Sequence, residues 1–201
     1  MSHSSIDDGV IKYQAIHQNG SPPEHPLLRQ LDQIRTKLFD LGLVGIYPDG
    51  VGYGNVSIRN GTGCIISGTA TGAMRVLGTS GYCYVRSFDL HKNIVKTQGP
   101  VNASSESMTH CAIYRARSLV QCVLHIHNRE LWQKLLDRGH ESTPVDVSYG
   151  TPKMAFSMAA LVGLKAKSSN ILVMAGHEEG LIAYGRTIPS AFDQIQAILT
   201  N

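Results

Sequence analysis

The stretch Val123–Trp132, VLHIHNRELW, ends an apolar run with two histidines one residue apart and then turns helix-like. Successive side chains of an extended strand point to opposite faces, so His125 and His127 share one face while Ile126 packs on the other. The run LVQCVLHIH therefore reads as a strand and NRELWQKLLDRG as the helix that follows it. On the N-terminal side, SSESMTHCAIYRARS reads as a helix starting at a serine pair, and NVSIR and CIIS as two strands of a hairpin closed by NGTG. GYCYVRSFDLHKNIVKTQG gives two more strands joined at DLHKN, and GVIKYQAIHQ a short strand near the start. LLRQLDQIRTKLFDLGLVG carries Leu28, Leu31, Ile34, Leu38 and Leu41 at helical spacing and closes near Gly42. Toward the C-terminus come a helix over TPKMAFSMAALVGLKA, strands NILVMAG and GLIAYG paired around HEE, and a last helix over IPSAFDQIQAILTN with Pro189 in its first turn. Strands and helices mix without strict βαβ alternation, which predicts an α/β fold: a three-layer α/β/α sandwich on a largely antiparallel central sheet.

Length and composition bound the rest. A chain of 201 residues fits a single domain, with about 1–26 as a short N-terminal extension. Charged residues make up 16%, below the ~25% usual for globular proteins, which is easier to understand if other subunits cover part of the surface. The net charge of +3 is scattered, with no basic patch or aromatic interleaving that would read as a nucleic-acid groove. Neither a secretory leader nor an apolar span long enough for a membrane is legible, and the four cysteines show no CxxC spacing. The expectation is a reduced, cytoplasmic protein with no nucleic-acid or membrane partner.

The chemistry-bearing residues fall into two groups. His125 and His127, on one face of a stiff strand, have the geometry to share one cation, or they are a chance pair of buried, hydrogen-bonded histidines. A third ligand would come from another element, and His177, in a turn flanked by glycines at the end of an apolar strand, is the best candidate. His3, His17, His25, His91, His110 and His140 read as incidental. In NASSESMTH, the hydroxyls of Ser104 and Ser105 can cap the helix while first-turn amides face an anion. Glu106 in that turn either does acid/base work or favours the positive end of the helix dipole. YGNVSIR and IISGTATG add Gly, Asn, Ser and Thr at strand ends, where amides can approach an oxyanion. No Walker loop or GxGxxG follows a strand, so nothing argues for a nucleotide.

In their order, GNVSIR, ISG, SSE with its helix, HIH and GHEEGLIAYG resemble the class II aldolase/adducin family, from about Leu28 to Ala197. The resemblance implies an α/β/α sandwich, a homotetramer with active sites at subunit interfaces, and a divalent metal ion, with Zn²⁺ the expected one. It implies metal ligation by His125, His127 and His177, acid/base work by Glu106, and a substrate phosphate held at Gly54, Asn55, Ser67, Gly68, Ser104 and Ser105. The implied activity is a lyase (aldolase) that cleaves a ketose phosphate or similar acidic polyol through a metal-stabilised enediolate. A dehydratase or decarboxylase on the same scaffold, or a non-catalytic adducin-like assembly module, stands as the alternative. Three departures from the family pattern are visible. HEEG replaces a plain His-Gly before the last strand, which leaves Glu179 as an alternative third ligand. The chain stops soon after its last helix, making fuculose phosphate itself a poor expectation. SGTATGAMRVLGTSGYCYV is longer than expected and leaves the outer wall of the pocket open.

Overall fold

The computed structural model describes residues 10–163 and 170–200; His3, in residues 1–9, and the end of the helix expected to run through Ala166 lie outside them. In chain order the elements are β1 (Gln14–Asn19), α1 (Leu28–Asp40), β2 (Gly45–Ile46), β3 (Gly52–Tyr53), β4 (Asn55–Asn60) and β5 (Gly63–Ser67). They continue with β6 (Tyr82–Asp89), β7 (Ile94–Gly99), α2 (Ser107–Ala116), β8 (Cys122–His127) and α3 (Arg129–Asp137). The last are α4 (Pro152–Gly163), β9 (Ile171–Val173), β10 (Gly180–Gly185) and α5 (Ile188–Leu199).

Eight strands form one sheet in the order β1-β7-β6-β5-β4-β8-β10-β9. β1 pairs parallel with β7 and the remaining pairs are antiparallel. The sheet divides the apolar interior in two, as period-2 alternation requires. Cys64, Ile66, Val123 and Ile182 face one core with Met108, Ile113, Met154 and Met158 of α2 and α4. Ile65, Leu124, Ile126 and Leu181 face the other with Leu31, Leu38, Phe192 and Ile195 of α1 and α5. The arrangement is the three-layer α/β/α sandwich with a mostly antiparallel sheet. All four cysteines are buried and free, and among the described residues no helix is long and apolar enough to cross a membrane.

Two details depart from the local reading. Leu41, placed on the buried stripe of α1, is 52% exposed. The helix has already ended there: Gly42 adopts φ +68°, its N–H donates to Phe39 O, and Leu43 N–H donates to Leu38 O. That is a Schellman closure, which turns Leu41 outward and brings Leu43 back into the core. The second is a small hairpin, β2–β3, that the sequence reading did not assign. It turns on Tyr47-Pro48-Asp49-Gly50, where Asp49 Oδ1 accepts from Val51 N–H at 3.0 Å and Gly50 adopts φ +89°.

The long connection between β5 and β6 is ordered by α1. Arg35 is buried, and its guanidinium donates to the carbonyls of Met74, Arg75 and Thr71. Asp32 accepts from Leu77 N–H, Gly78 N–H and Tyr82 Oη–H. Truncating Arg35 to alanine takes the donor from the buried Thr71 carbonyl and from the part-buried carbonyls of Met74 and Arg75, a stranded buried acceptor costing about 1–3 kcal/mol. The expected result is a loss of roughly 2–4 kcal/mol, read as a lower urea midpoint with an unchanged slope.

Candidate functional site

β8 lies between β4 and β10, and this placement gathers the site. Asn55 pairs with His125 on one side, and Gly180 pairs with His127 on the other. The N-terminal end of β4, the C-terminal end of β8 and the turn before β10 therefore meet where these interior strands end. Gly54 is needed there: it adopts φ +71°, and a Cβ would lie 2.6 Å from Val44 Cγ1 and 3.0 Å from the His125 carbonyl oxygen. Gly180 admits the third imidazole, because a Cβ would lie 2.5 Å from His177 Cδ2.

A cleft of about 270 Å³ opens at these strand ends, lined by Gly54, Asn55, Gly68, Ser104, Ser105, Glu106, His125, His127 and His177 among others. Ser67 is the one residue of the expected set that does not line it; its Oγ accepts from Val56 N–H at 3.1 Å, inside the β4–β5 pair. Thr69 to Gly72, held by Arg35, form the wall that the sequence left open. Gly50 to Tyr53, Tyr149 and Val10 complete the lining; isolated aromatic and apolar residues in loops carry no periodic signal that would mark them.

One potential ligand atom from each of His125, His127 and His177 lies within 4.8 Å of the others, and all three residues are buried. The donor set fits a cation. His125 Nδ1 is 3.2 Å from the Leu181 carbonyl, which can only accept, so this nitrogen carries the proton and Nε2 is a lone pair. His127 Nε2 is 3.0 Å from His125 Nε2, while His127 Nδ1 is 2.9 Å from Tyr47 Oη. Burial lowers the pKa of His125 to about 4 and holds His127 and His177 well below the ordinary histidine value. The neutral imidazole is the form that binds a metal, and two or three converging lone pairs on buried residues favour a positive ion between them. Glu179 does not join this group; its Oε2 accepts from Tyr47 Oη–H at 2.7 Å.

Glu106 stands at the N-cap position of α2 rather than within its first turn, and no side chain caps the helix. Ser104 Oγ instead accepts from Glu106 N–H at 3.3 Å, and the Ser104 carbonyl accepts from Tyr13 Oη–H and Ser107 N–H, both at 3.0 Å. The serine pair thus shapes the turn before the helix. Glu106 is 2% exposed, and neither carboxylate oxygen has a hydrogen bond of good geometry. Burial raises its pKa from 4.5 to about 7, held back by the nearby Thr109 hydroxyl, the Gly150 amide and the charge of Lys12. The native state therefore keeps this proton longer than the unfolded chain does. The associated stability is complete below pH 4.5 and is lost as pH rises through about 7. Its full size is on the order of 3 kcal/mol, so Glu106→Gln should flatten the decline, read from urea midpoints of both proteins at about pH 5 and about pH 8.

His110, read as incidental, is buried on α2 with Nδ1 2.7 Å from Ser57 Oγ, which lies 2.7 Å from Tyr114 Oη. It is not one of the three converging imidazoles.

The family described as Class II Aldolase and Adducin N-terminal domain matches residues 38–200. No curated protein shows a significant sequence match. Among solved structures, an L-fuculose 1-phosphate aldolase superposes with TM-score 0.66 at 16% identity, covering 90% of this chain and 85% of its own. A sugar-phosphate aldolase from Thermotoga maritima gives 0.62 at 16% identity, covering 85% and 89%. YgbL from Klebsiella pneumoniae, whose description sets aldolase, epimerase and decarboxylase side by side, gives 0.63 at 18% identity, covering 85% and 83%. At these identities the likeness speaks for the fold alone.

Proposed function

Because the chain belongs to the class II aldolase and adducin N-terminal domain family, we propose that it is a divalent-metal lyase, an aldolase acting on a ketose phosphate or a similar acidic polyol. The observation that carries this reading is the convergence of His125, His127 and His177 in the same cleft as Glu106. In this reading the three imidazoles hold the cation, with Zn²⁺ the expected ion for an all-nitrogen set with room for a further ligand. When bound, the ion supplies a Lewis acid for negative charge that develops on substrate oxygens.

The chain's own residues do the remaining work. Glu106, neutral or ionised near pH 7 at little cost, takes and returns a proton at the carbon or oxygen of the breaking bond. Gly54, Asn55, Gly68, Ser104 and Ser105 line the same cleft with amides, a carboxamide and hydroxyls suited to an anion. Asn55 Oδ1 is buried without a hydrogen-bond partner, which is economical to explain if a substrate hydroxyl donates to it. Ser67 is not part of this set, since it does not line the cleft and its hydroxyl accepts from Val56 N–H.

An assembly module would have no need to collect three imidazoles and a buried carboxylate in one cavity, which supports the catalytic reading over the adducin-like one. The dehydratase and decarboxylase readings share this machinery and differ in the bond broken. The test begins with elemental analysis of untagged protein purified without chelator, followed by ketose phosphates screened for aldehyde release. About one divalent ion per chain and aldehyde release from at least one substrate are expected. Failure to take up zinc, cobalt or manganese would sink the metalloenzyme reading.

A further inference from the structure

His127 is held from behind by a two-residue relay. Tyr47 Oη–H donates to Glu179 Oε2 at 2.7 Å. With its one proton committed there, the Tyr47 oxygen is left to accept, and His127 Nδ1, 2.9 Å away, carries the proton that it accepts. The two partners come from distant turns. Tyr47 is delivered by the β2–β3 hairpin, its N–H donating to Val51 O at 2.8 Å. Glu179 sits in the His177–Gly180 turn, where its carbonyl accepts from Asn128 N–H at 3.0 Å. Glu179 also adopts φ +71°, a left-handed conformation that is strained for a residue with a Cβ. Glycine would be cheaper at that position, and the strain is intelligible if the side chain has a task.

We propose that Tyr47 and Glu179 are positioning residues that fix His127 as its Nδ1–H tautomer and so aim the Nε2 lone pair at the centre of the His125–His127–His177 cluster. The purpose of the relay rests on the metal reading above; its geometry does not. For His125 the same job is done by the Leu181 carbonyl, 3.2 Å from Nδ1, so the strand backbone locks one imidazole and a side-chain pair locks the next. The relay also gives the second glutamate of HEEG a place: it engages the Nδ1 side of His127 through Tyr47, while Nε2 faces His125 at 3.0 Å. Without the relay, a lone Tyr47 hydroxyl could donate to Nδ1, and the proton would move to Nε2, where it blocks the ligand atom.

Two measurements on the full chain test this. Long-range ¹H–¹⁵N spectra of metal-free protein report the tautomer of His127, and chelator competition reports Zn²⁺ affinity, each for wild type, Tyr47→Phe, Glu179→Ala and Glu179→Gln. Both sites are only half-buried, so these changes leave the two cores intact. With no ion between them, His127 Nε2 and the unprotonated His125 Nε2, 3.0 Å apart, share a proton that pulls against the relay, so wild type should hold more of the Nδ1–H form than Tyr47→Phe and Glu179→Ala, whose shift toward Nε2–H should accompany an affinity weakened about 10–100-fold. Glu179→Gln, whose amide oxygen still accepts from Tyr47, should retain most of the affinity. The Tyr47→Phe/Glu179→Ala double variant should lose little more than either single one, because both act through one chain of bonds. An unchanged tautomer in Tyr47→Phe overturns the proposal. So does a loss in Glu179→Ala far beyond that in Tyr47→Phe, which would put the carboxylate on the ion itself. A wild type that takes up no Zn²⁺ defeats the metal reading, and the tautomer comparison in metal-free protein still decides this one.

Discussion

Replacing Glu106 with glutamine should depress turnover by roughly two to four orders of magnitude while leaving the metal content at the wild-type level. The substitution keeps the size and shape of the side chain and removes only its capacity to exchange a proton. It falls at a buried N-cap position where the side chain makes no capping hydrogen bond, so the helix should be undisturbed. Above pH 7 the variant should even be the more stable protein, because it no longer has to bury a charge as Glu106 ionises. A protein that gains stability and loses turnover marks a group kept for chemistry at the expense of the fold. The checks are steady-state kinetics on whichever ketose phosphate releases aldehyde, elemental analysis, and the urea midpoints already described. Unimpaired turnover would remove Glu106 from the mechanism.

The second large effect is expected at His177. Changing it to alanine should take bound metal from about one ion per chain to near zero and abolish turnover, without rescue by added Zn²⁺. The residue contributes one of three converging ligand atoms, and its ring packs against Tyr149 with centroids 4.7 Å apart. Removing the ring also leaves a hole beside Gly180, so a modest loss of thermal stability should accompany the loss of metal. Glu179→Ala provides the contrast: it should still bind about one ion per chain at saturating Zn²⁺, only more weakly. Full metal occupancy in His177→Ala, with loss in Glu179→Ala, would reverse the assignment of the two residues.

Much of the fold was legible because most elements carry a local signature. The hairpin NVSIR-NGTG-CIIS, the helix beginning at Leu28 and the helix after Thr187 announce themselves through turn residues, apolar spacing and Pro189. What failed locally failed for physical reasons. α2 is buried on nearly every side from Ser107 to Tyr114, so its start has no polar face to mark it, and the serine pair that looked like a cap shapes the preceding turn. Ser67 ends a strand as expected, yet its hydroxyl is used across the β4–β5 pair, a choice that depends on the neighbouring strand and not on the residues beside it. Tyr47 lies in a Pro-Asp-Gly turn, a signal that could have revealed the β2–β3 hairpin, but nothing in the turn says which imidazole it will meet.

By itself the sequence determined that His125 and His127 share a face of one strand, because the side-chain period of a strand is two wherever the strand lies. It determined equally the layer architecture, since apolar alternation in the strands and apolar stripes on the helices can be buried together in few ways. Only the tertiary structure decided that β8 sits between β4 and β10. That order brings His177, 50 residues further along, and Glu106, before β8, to the same cleft as the histidine pair. It also sets Glu179 behind Tyr47 rather than among the converging imidazoles. The physical reason is that the face a side chain occupies is fixed by the dihedral angles of its own segment, whereas its neighbours across the sheet follow from which strands pair, and pairing is settled by burial over the whole chain.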